Sequence, residues 1–199
     1  MNKPIKVAII SENGENDTEA LRFLLDQHTF KDDAHEKISV QFIPFLGRIK
    51  GSMWDNNDKG RIRGLIEEAC YGHNPNLLLF VRDLDAFLSV IEKIETRKEW
   101  YNSLKHSANC PTLLYLAVQK IEALILADLK NAYGKKYNDN PMFEPMPDKV
   151  IAKFGYVKSK LVPIFKKMKI ENVRQNHKNH ELSFDTFIKN LEIEIKRLK

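Results

Sequence analysis

Asp83 and Asp85 stand one residue apart at the end of the apolar run Leu77-Leu-Leu-Phe-Val-Arg82. Two hard oxygen ligands converging on one spot suit Mg²⁺ or Mn²⁺. If the backbone stays extended past the run, both side chains point to the same side, because side chains repeat every two residues along a strand. A solvated, turn-forming Asp pair is the competing reading, since Asx turns are favoured at strand ends. Two further carboxylates arrive after other apolar runs. Glu12 directly follows Ile5-Lys-Val-Ala-Ile-Ile-Ser11, and Glu122 lies just beyond Pro111-Thr-Leu-Leu-Tyr-Leu-Ala-Val118. Carboxylates crowded together repel one another, which raises their pKa values and strengthens their hold on a cation. Asp128 lies six residues beyond Glu122, about 9 Å along a helix, and a buried structural role competes there with a site role.

The elements that must position these groups read as alternating strands and helices. Residues 5–11 and 77–82 have the unbroken apolar character of strands buried on both faces of a parallel sheet. Residues 38–43 alternate as a second strand, and 111–118 form a fourth. Helices are expected from Asn16 or Asp17 to about Gln27, from about Asp58 to Tyr71, and within 86–105. Another runs over 119–133 and is closed by Gly134. This order implies an α/β fold with a mainly parallel four-stranded sheet flanked by helices. Ligands bind outside the carboxyl ends of strands in such sheets, which is where all the named carboxylates fall. A proline-marked loop, with Pro141, Pro145 and Pro147, separates residues 1–134 from a helical C-terminal extension, 135–199. Helices are expected there near 149–155, 157–169 and 183–198.

Composition narrows the partners. The chain has 199 residues, 43% apolar and 30% charged, with a net charge of +5. Residues 149–199 carry 13 Lys/Arg against 5 Asp/Glu, a net of +8, whereas the preceding residues are net acidic. An acidic front and a basic tail suit a metal site beside a polyanion-binding surface; a lysine-rich solvated face is the plainer alternative. No run approaches the roughly 20 apolar residues that span a bilayer. The N-terminus reads as a strand start, not a signal peptide. Two cysteines, Cys70 and Cys110, build neither a disulfide framework nor a zinc knuckle, which suits a reducing cytoplasm.

The carboxylate pattern, taken with its setting, resembles the TOPRIM domain of topoisomerases, primases and overcoming-lysogenization-defect nucleases. The matching residues are Glu12 in Ile-Ile-Ser-Glu-Asn-Gly-Glu-Asn-Asp and the Asp83-Leu-Asp85 pair. The segment Val118-Gln-Lys-Ile-Glu-Ala-Leu-Ile-Leu-Ala-Asp128 is similar to the Glu-Ala-Trp-Leu-Leu-Ala-Asp signature of small stand-alone TOPRIM-like bacterial proteins, with Leu124 in place of the Trp. The turn Glu12-Asn-Gly-Glu15-Asn-Asp17 is one residue longer than the usual Glu-Gly-x-x-Asp, so Glu15 competes with Glu12 for the Glu role. The resemblance implies a Rossmann-like TOPRIM fold over residues 1–134 and a Mg²⁺- or Mn²⁺-dependent nuclease cutting DNA or RNA. It implies Glu12, Asp83 and Asp85 as catalytic and metal-binding residues, with Glu122 completing a second metal position. It further implies an effector of antiphage defence beside an ABC-type ATPase, or a non-catalytic regulatory subunit of such an ATPase complex.

The remaining signals are weaker. Arg61, Arg63, Arg82, Lys158 and Lys160 are candidates for contacting nucleic acid, each with a structural alternative. Asp17, Thr18 and Glu19 open a helix, and capping with dipole complementarity accounts for them. His177 and His180 have helical ligand spacing but no further zinc ligands nearby. Asp-x-Asp also occurs in haloacid-dehalogenase phosphatases, but after the first strand rather than the third. No Walker loop is present. The irregular segment 44–60, with Met53 and Trp54, is a candidate lid or an interface for a homodimer.

Overall fold

The computed structural model describes residues 3–11, 14–45, 58–86 and 89–199. Glu12 and the Met53–Trp54 segment lie outside the described residues, as does the side chain of Glu15. Among the described residues four strands, β1 (Ile5–Ser11), β2 (Val40–Pro44), β3 (Leu77–Asp83) and β4 (Thr112–Ala117), form one all-parallel sheet. Its order is β2-β1-β3-β4. The α/β architecture expected from the alternation of elements is thus what the chain adopts, and it is Rossmann-like, as the resemblance implies. β1 and β3 are central, and the connections from them leave in opposite directions, to β2 and to β4. The gap between their carboxyl ends is therefore the switch point at which open parallel sheets bind ligands.

Side-chain alternation along β3 distributes residues to two layers. Leu77, Leu79 and Val81 join the larger core with Leu21 and Leu24 of α1 (Glu15–Leu25). Leu78 and Phe80 join the smaller core, with Ile62 and Ile66 of α2 (Lys59–His73) and with Trp100 and Leu104 of α3 (Ile91–Leu104). The period of two then places Arg82 in the smaller layer and Asp83 in the larger one.

The C-terminal region builds on the larger layer. α4 (Ala123–Ala127), α5 (Leu129–Tyr133), α6 (Pro147–Ala152), α7 (Leu161–Phe165), α8 (Ile170–Asn176) and α9 (Phe184–Arg197) all contribute to that core. α9 buries Phe184, Phe187, Ile188, Leu191 and Ile195, and Phe187 stacks on Tyr115 of β4 at 4.5 Å. Each such side chain contributes about 2 kcal/mol on burial. The extension therefore shares a core with the sheet. Its last helix is capped as its sequence indicates, with the Ser183 hydroxyl accepting from Thr186 N–H at 3.2 Å.

Two expected helices are shorter than their patterns suggest. The run 119–133 becomes helical only at Ala123 and breaks at Asp128, whose φ and ψ are −131° and 43°. Its start is delayed because Gln119 adopts φ 59° and its carbonyl accepts the N–H of Asp85 at 2.8 Å. The expected helix over 157–169 is a 3₁₀ turn at Lys158–Lys160 followed by the five residues of α7. Lys169 is extended, and its N–H donates to the Asp128 carboxylate at 2.7 Å instead of continuing a helix. Both breaks come from long-range hydrogen bonds, which local periodicity does not encode. α1 also starts earlier than expected, after Gly14 at φ 65°, so Asp17 lies within its first turn and not at its cap.

Candidate functional site

β3 ends with Asp83 paired to Ala117 of β4. Its carboxylate is 8% exposed, and its Oδ1 accepts the Ile121 N–H at 2.9 Å. That bond ties the end of β3 to the approach to α4. Past Asp83 the backbone does not stay extended. Leu84 N–H still donates to Ala117 O, but Asp85 turns to φ 50°, in the left-handed region that Asp tolerates better than most residues. Asp85 is exposed, and its carbonyl accepts from Lys93 Nζ at 2.9 Å. The simple extended geometry expected for the pair is therefore not what brings them together. Both nonetheless line one cleft of about 360 Å³, with Glu122, Asp148, Lys120, Tyr156 and Lys158.

Glu122 immediately precedes α4 and is only 3% exposed. Its Oε1 accepts from the Tyr156 hydroxyl and from Lys158 Nζ, both at 2.9 Å. Its Oε2 is buried with no hydrogen-bond partner among the described residues. Lys158 also reaches Asp17 Oδ1 at 3.0 Å, so one ammonium bridges two buried carboxylates from α1 and from the approach to α4. Asp17 and Tyr156 are site residues that the sequence did not reveal. Asp17 reads as a helix-opening residue, and the hint available is its place as the closing Asp of the turn Glu12-Asn-Gly-Glu15-Asn-Asp17. Tyr156 follows Gly155 in a segment with no motif.

Charge in this cluster is unbalanced. Burial first, then Asp17 and Glu122, raise the Asp83 carboxyl well above the usual carboxylate range; Lys158 offsets part of this. Burial works against the charge of Lys158, but Asp17 and Glu122 outweigh it and hold the ammonium above the ordinary lysine value. The Tyr156 hydroxyl is pushed up by burial and then by Glu122. Tyr115, fully buried below the cleft, is pushed up by burial and then by Asp83. A buried carboxylate facing others is destabilised when ionised, and a cation relieves that.

Hard oxygen donors in a partly open, acid-rich cleft fit Mg²⁺ or Mn²⁺. Mg²⁺ keeps several waters and is held through one or two carboxylates rather than a protein cage. Among the described residues no group of three or more Asp, Glu, His or Cys side chains is placed to hold a metal ion. Asp83 and Asp85 are the ligands that fit, with the unspent Oε2 of Glu122 nearby in the same cleft.

The other candidates are placed elsewhere. Arg82 is 1% exposed, with its guanidinium 5.0 Å from the Trp100 ring centroid in the opposite layer. Arg61 and Arg63 are exposed on α2 and do not line the cleft. Lys160 is exposed and donates to Gly155 O at 3.1 Å. Asp128 is buried and accepts from both its neighbour Asn131 and the distant Lys169 and Asn172. His177 is buried, its Nδ1 accepting from Phe184 N–H at 2.9 Å. Among the described residues no helix is long and apolar enough to cross a membrane. Compared with protein-family models, with curated proteins and with solved structures, the chain matches none.

Proposed function

We propose that this chain is a Mg²⁺- or Mn²⁺-dependent nuclease of TOPRIM type, cutting DNA or RNA phosphodiesters in the cytoplasm as an effector of antiphage defence. The observation that carries the reading is the buried Asp83 carboxylate at the β1/β3 switch point, facing Asp17 and Glu122 with the Lys158 ammonium as offset. Such an arrangement costs stability unless a cation is meant to complete it. A divalent ion held by Asp83 and Asp85 would neutralise phosphate charge and lower the pKa of a bound water.

The chain's own groups have definable parts in this. The Ile121 N–H fixes one oxygen of Asp83 and so orients the other. Tyr156 and Lys158 hold one oxygen of Glu122, leaving Oε2 able to accept a proton or a ligand bond. Lys158, 42% exposed at its side chain, is the cation placed to meet an entering phosphate. Glu12, next in the chain after Ser11 of β1, is assigned the general acid/base or further ligand role on the resemblance alone. The test is incubation of the purified protein with DNA, total RNA and tRNA, with Mg²⁺ or Mn²⁺. Cleavage is expected with metal and not with EDTA, and is expected to disappear in Asp83→Asn, Asp85→Asn and Glu12→Gln. Cleavage that persists in all three folded variants refutes the reading.

One observation favours a non-catalytic subunit of an ABC-type ATPase complex. The Lys158 bridge between Asp17 and Glu122 already supplies a positive charge to the cluster. That reading predicts a stable complex with the ATPase whose activity is unchanged when Asp83 and Asp85 are replaced.

A further inference from the structure

A second cavity, more than twice the volume of the carboxylate cleft, lies elsewhere in the described part of the molecule. It has a volume of about 860 Å³, lies between α5, the loop after it and α8, and shares no lining residue with the cleft. That volume is within the range of small-molecule sites, but the usual apolar lining is missing. Three kinds of group line it instead.

The first is cationic. Lys130, Lys135, Lys136 and Lys178 line the cavity against two carboxylates, Asp128 and Asp139. Asp128 is spent: Asn131, Asn172 and the Lys169 N–H all donate to it. The field in the cavity therefore favours an anion. The second is a pair of anchored amides. Asn172 donates its Nδ2 to Asp128 at 3.0 Å, and Asn176 donates its own to Ala127 O at 2.8 Å. With one N–H of each engaged and the orientation of the amide set, each keeps its carbonyl acceptor and one N–H donor for a ligand. An inorganic anion has no use for acceptors, whereas the N–H groups of a base edge do. The third is an aromatic ring. Tyr137 lines the cavity with its hydroxyl tied to Glu144 Oε2 at 2.7 Å, so the ring is held in place before any ligand arrives.

We infer that this cavity binds a phosphorylated nucleoside, with the lysines taking phosphate, Asn172 and Asn176 taking the base edge, and Tyr137 stacking on the base face. Cation, fixed acceptor and tethered ring together are the recognition set for an unstacked nucleotide. The ligand is either one unit of a single strand or a free nucleotide. The inference goes beyond the proposed cleavage reaction, and it rests on that reading only in giving a strand a reason to be bound.

The test is fluorescence anisotropy on the full chain in EDTA, which silences metal-dependent cleavage and so separates failure of this site from failure of the cleft. The probes are a fluorescein-labelled single-stranded 12-mer and a fluorescent ATP analogue, with heparin as a base-free polyanion competitor. Binding of either probe, weakened at least about 10-fold in Lys135→Glu/Lys136→Glu/Lys178→Glu and about 10-fold in Tyr137→Leu, supports the site. Tyr137→Phe keeps the ring but loses its tether, and is expected to bind less tightly than the parent and more tightly than Tyr137→Leu. Which probe binds more tightly identifies strand or mononucleotide as the source. The inference is overturned if neither probe binds, or if Tyr137→Leu changes nothing and heparin competes as well as unlabelled oligonucleotide.

Discussion

Two buried carboxylates flank the five-residue helix α4, and they are treated in opposite ways. Glu122 precedes the helix and Asp128 follows it, and each is 3% exposed. Asp128 accepts from three nitrogens, Asn131 Nδ2 shared between its two oxygens, the Lys169 N–H and Asn172 Nδ2, and thereby joins α4, α5 and α8. Glu122 shares a cluster with Asp17 and Asp83, keeps one oxygen without a hydrogen-bond partner among the described residues, and relies on Lys158 and Tyr156. Neutral donors around a single carboxylate make a strut. Carboxylates facing one another around a half-exposed ammonium leave negative charge to be matched from outside. Burial alone therefore does not mark a functional acid; how its charge is satisfied does.

The largest expected separation is in activity. Asp83→Asn keeps an oxygen to accept the Ile121 N–H but removes the charge, and cleavage should fall at least about 10³-fold, equivalent to about 4 kcal/mol of barrier. Its folding stability at pH 7.5, measured by urea titration, should hold or rise by about 1 kcal/mol. The sign follows from the raised carboxyl: the folded state prefers Asp83 protonated, so its contribution is fully present below the unfolded pKa and is lost as pH rises. Asp128→Ala should do the reverse. It strands the Lys169 N–H and two amides, costing about 3–5 kcal/mol in the same titration, while cleavage per folded molecule stays near that of the parent. Equal loss of stability in both variants would erase the distinction between strut and site.

A third test lies in the packed C-terminal layer. His177 is buried and its pKa is lowered to about 4, chiefly by burial, with a smaller push from His180. The unfolded chain takes up that proton near pH 6.5 and the folded one only near 4. Stability is thus fully present above about 6.5 and is lost as pH falls toward 4, by about 3 kcal/mol. His177→Asn retains an acceptor for the Phe184 N–H and should flatten that part of the pH profile. The smallest effect concerns Lys158. Lys158→Met should lower metal-free stability by about 1 kcal/mol, because the side chain is half in solvent, yet tighten Mn²⁺ binding by removing a competing cation. Weaker Mn²⁺ binding in that variant would make Lys158 a support for the site and not a rival for it.

Much of the fold could be read from the residues. The unbroken apolar runs at 5–11 and 77–82 and the spacing of the elements give the parallel sheet, and the sheet puts Asp83 at its carboxyl edge. Helix lengths were less legible, because Gln119, Asp128 and Lys169 leave regular geometry for hydrogen bonds to residues far away in the chain. The site was legible only where a strand end announced it. Asp83, Asp85 and Glu122 follow apolar runs, whereas Asp17 and Tyr156 enter through the packing of α1 and of the C-terminal layer against the sheet. Arg82 shows the limit of adjacency. It is next to Asp83 in sequence, but the pleat sends it to the opposite face and to Trp100.

Isothermal titration of Mn²⁺ into the parent protein, Asp83→Asn and Asp128→Asn addresses the central claim most directly. Saturable binding is expected in the parent, with its loss in Asp83→Asn and its retention in folded Asp128→Asn. Saturable binding of equal strength in the parent and Asp83→Asn would contradict that claim.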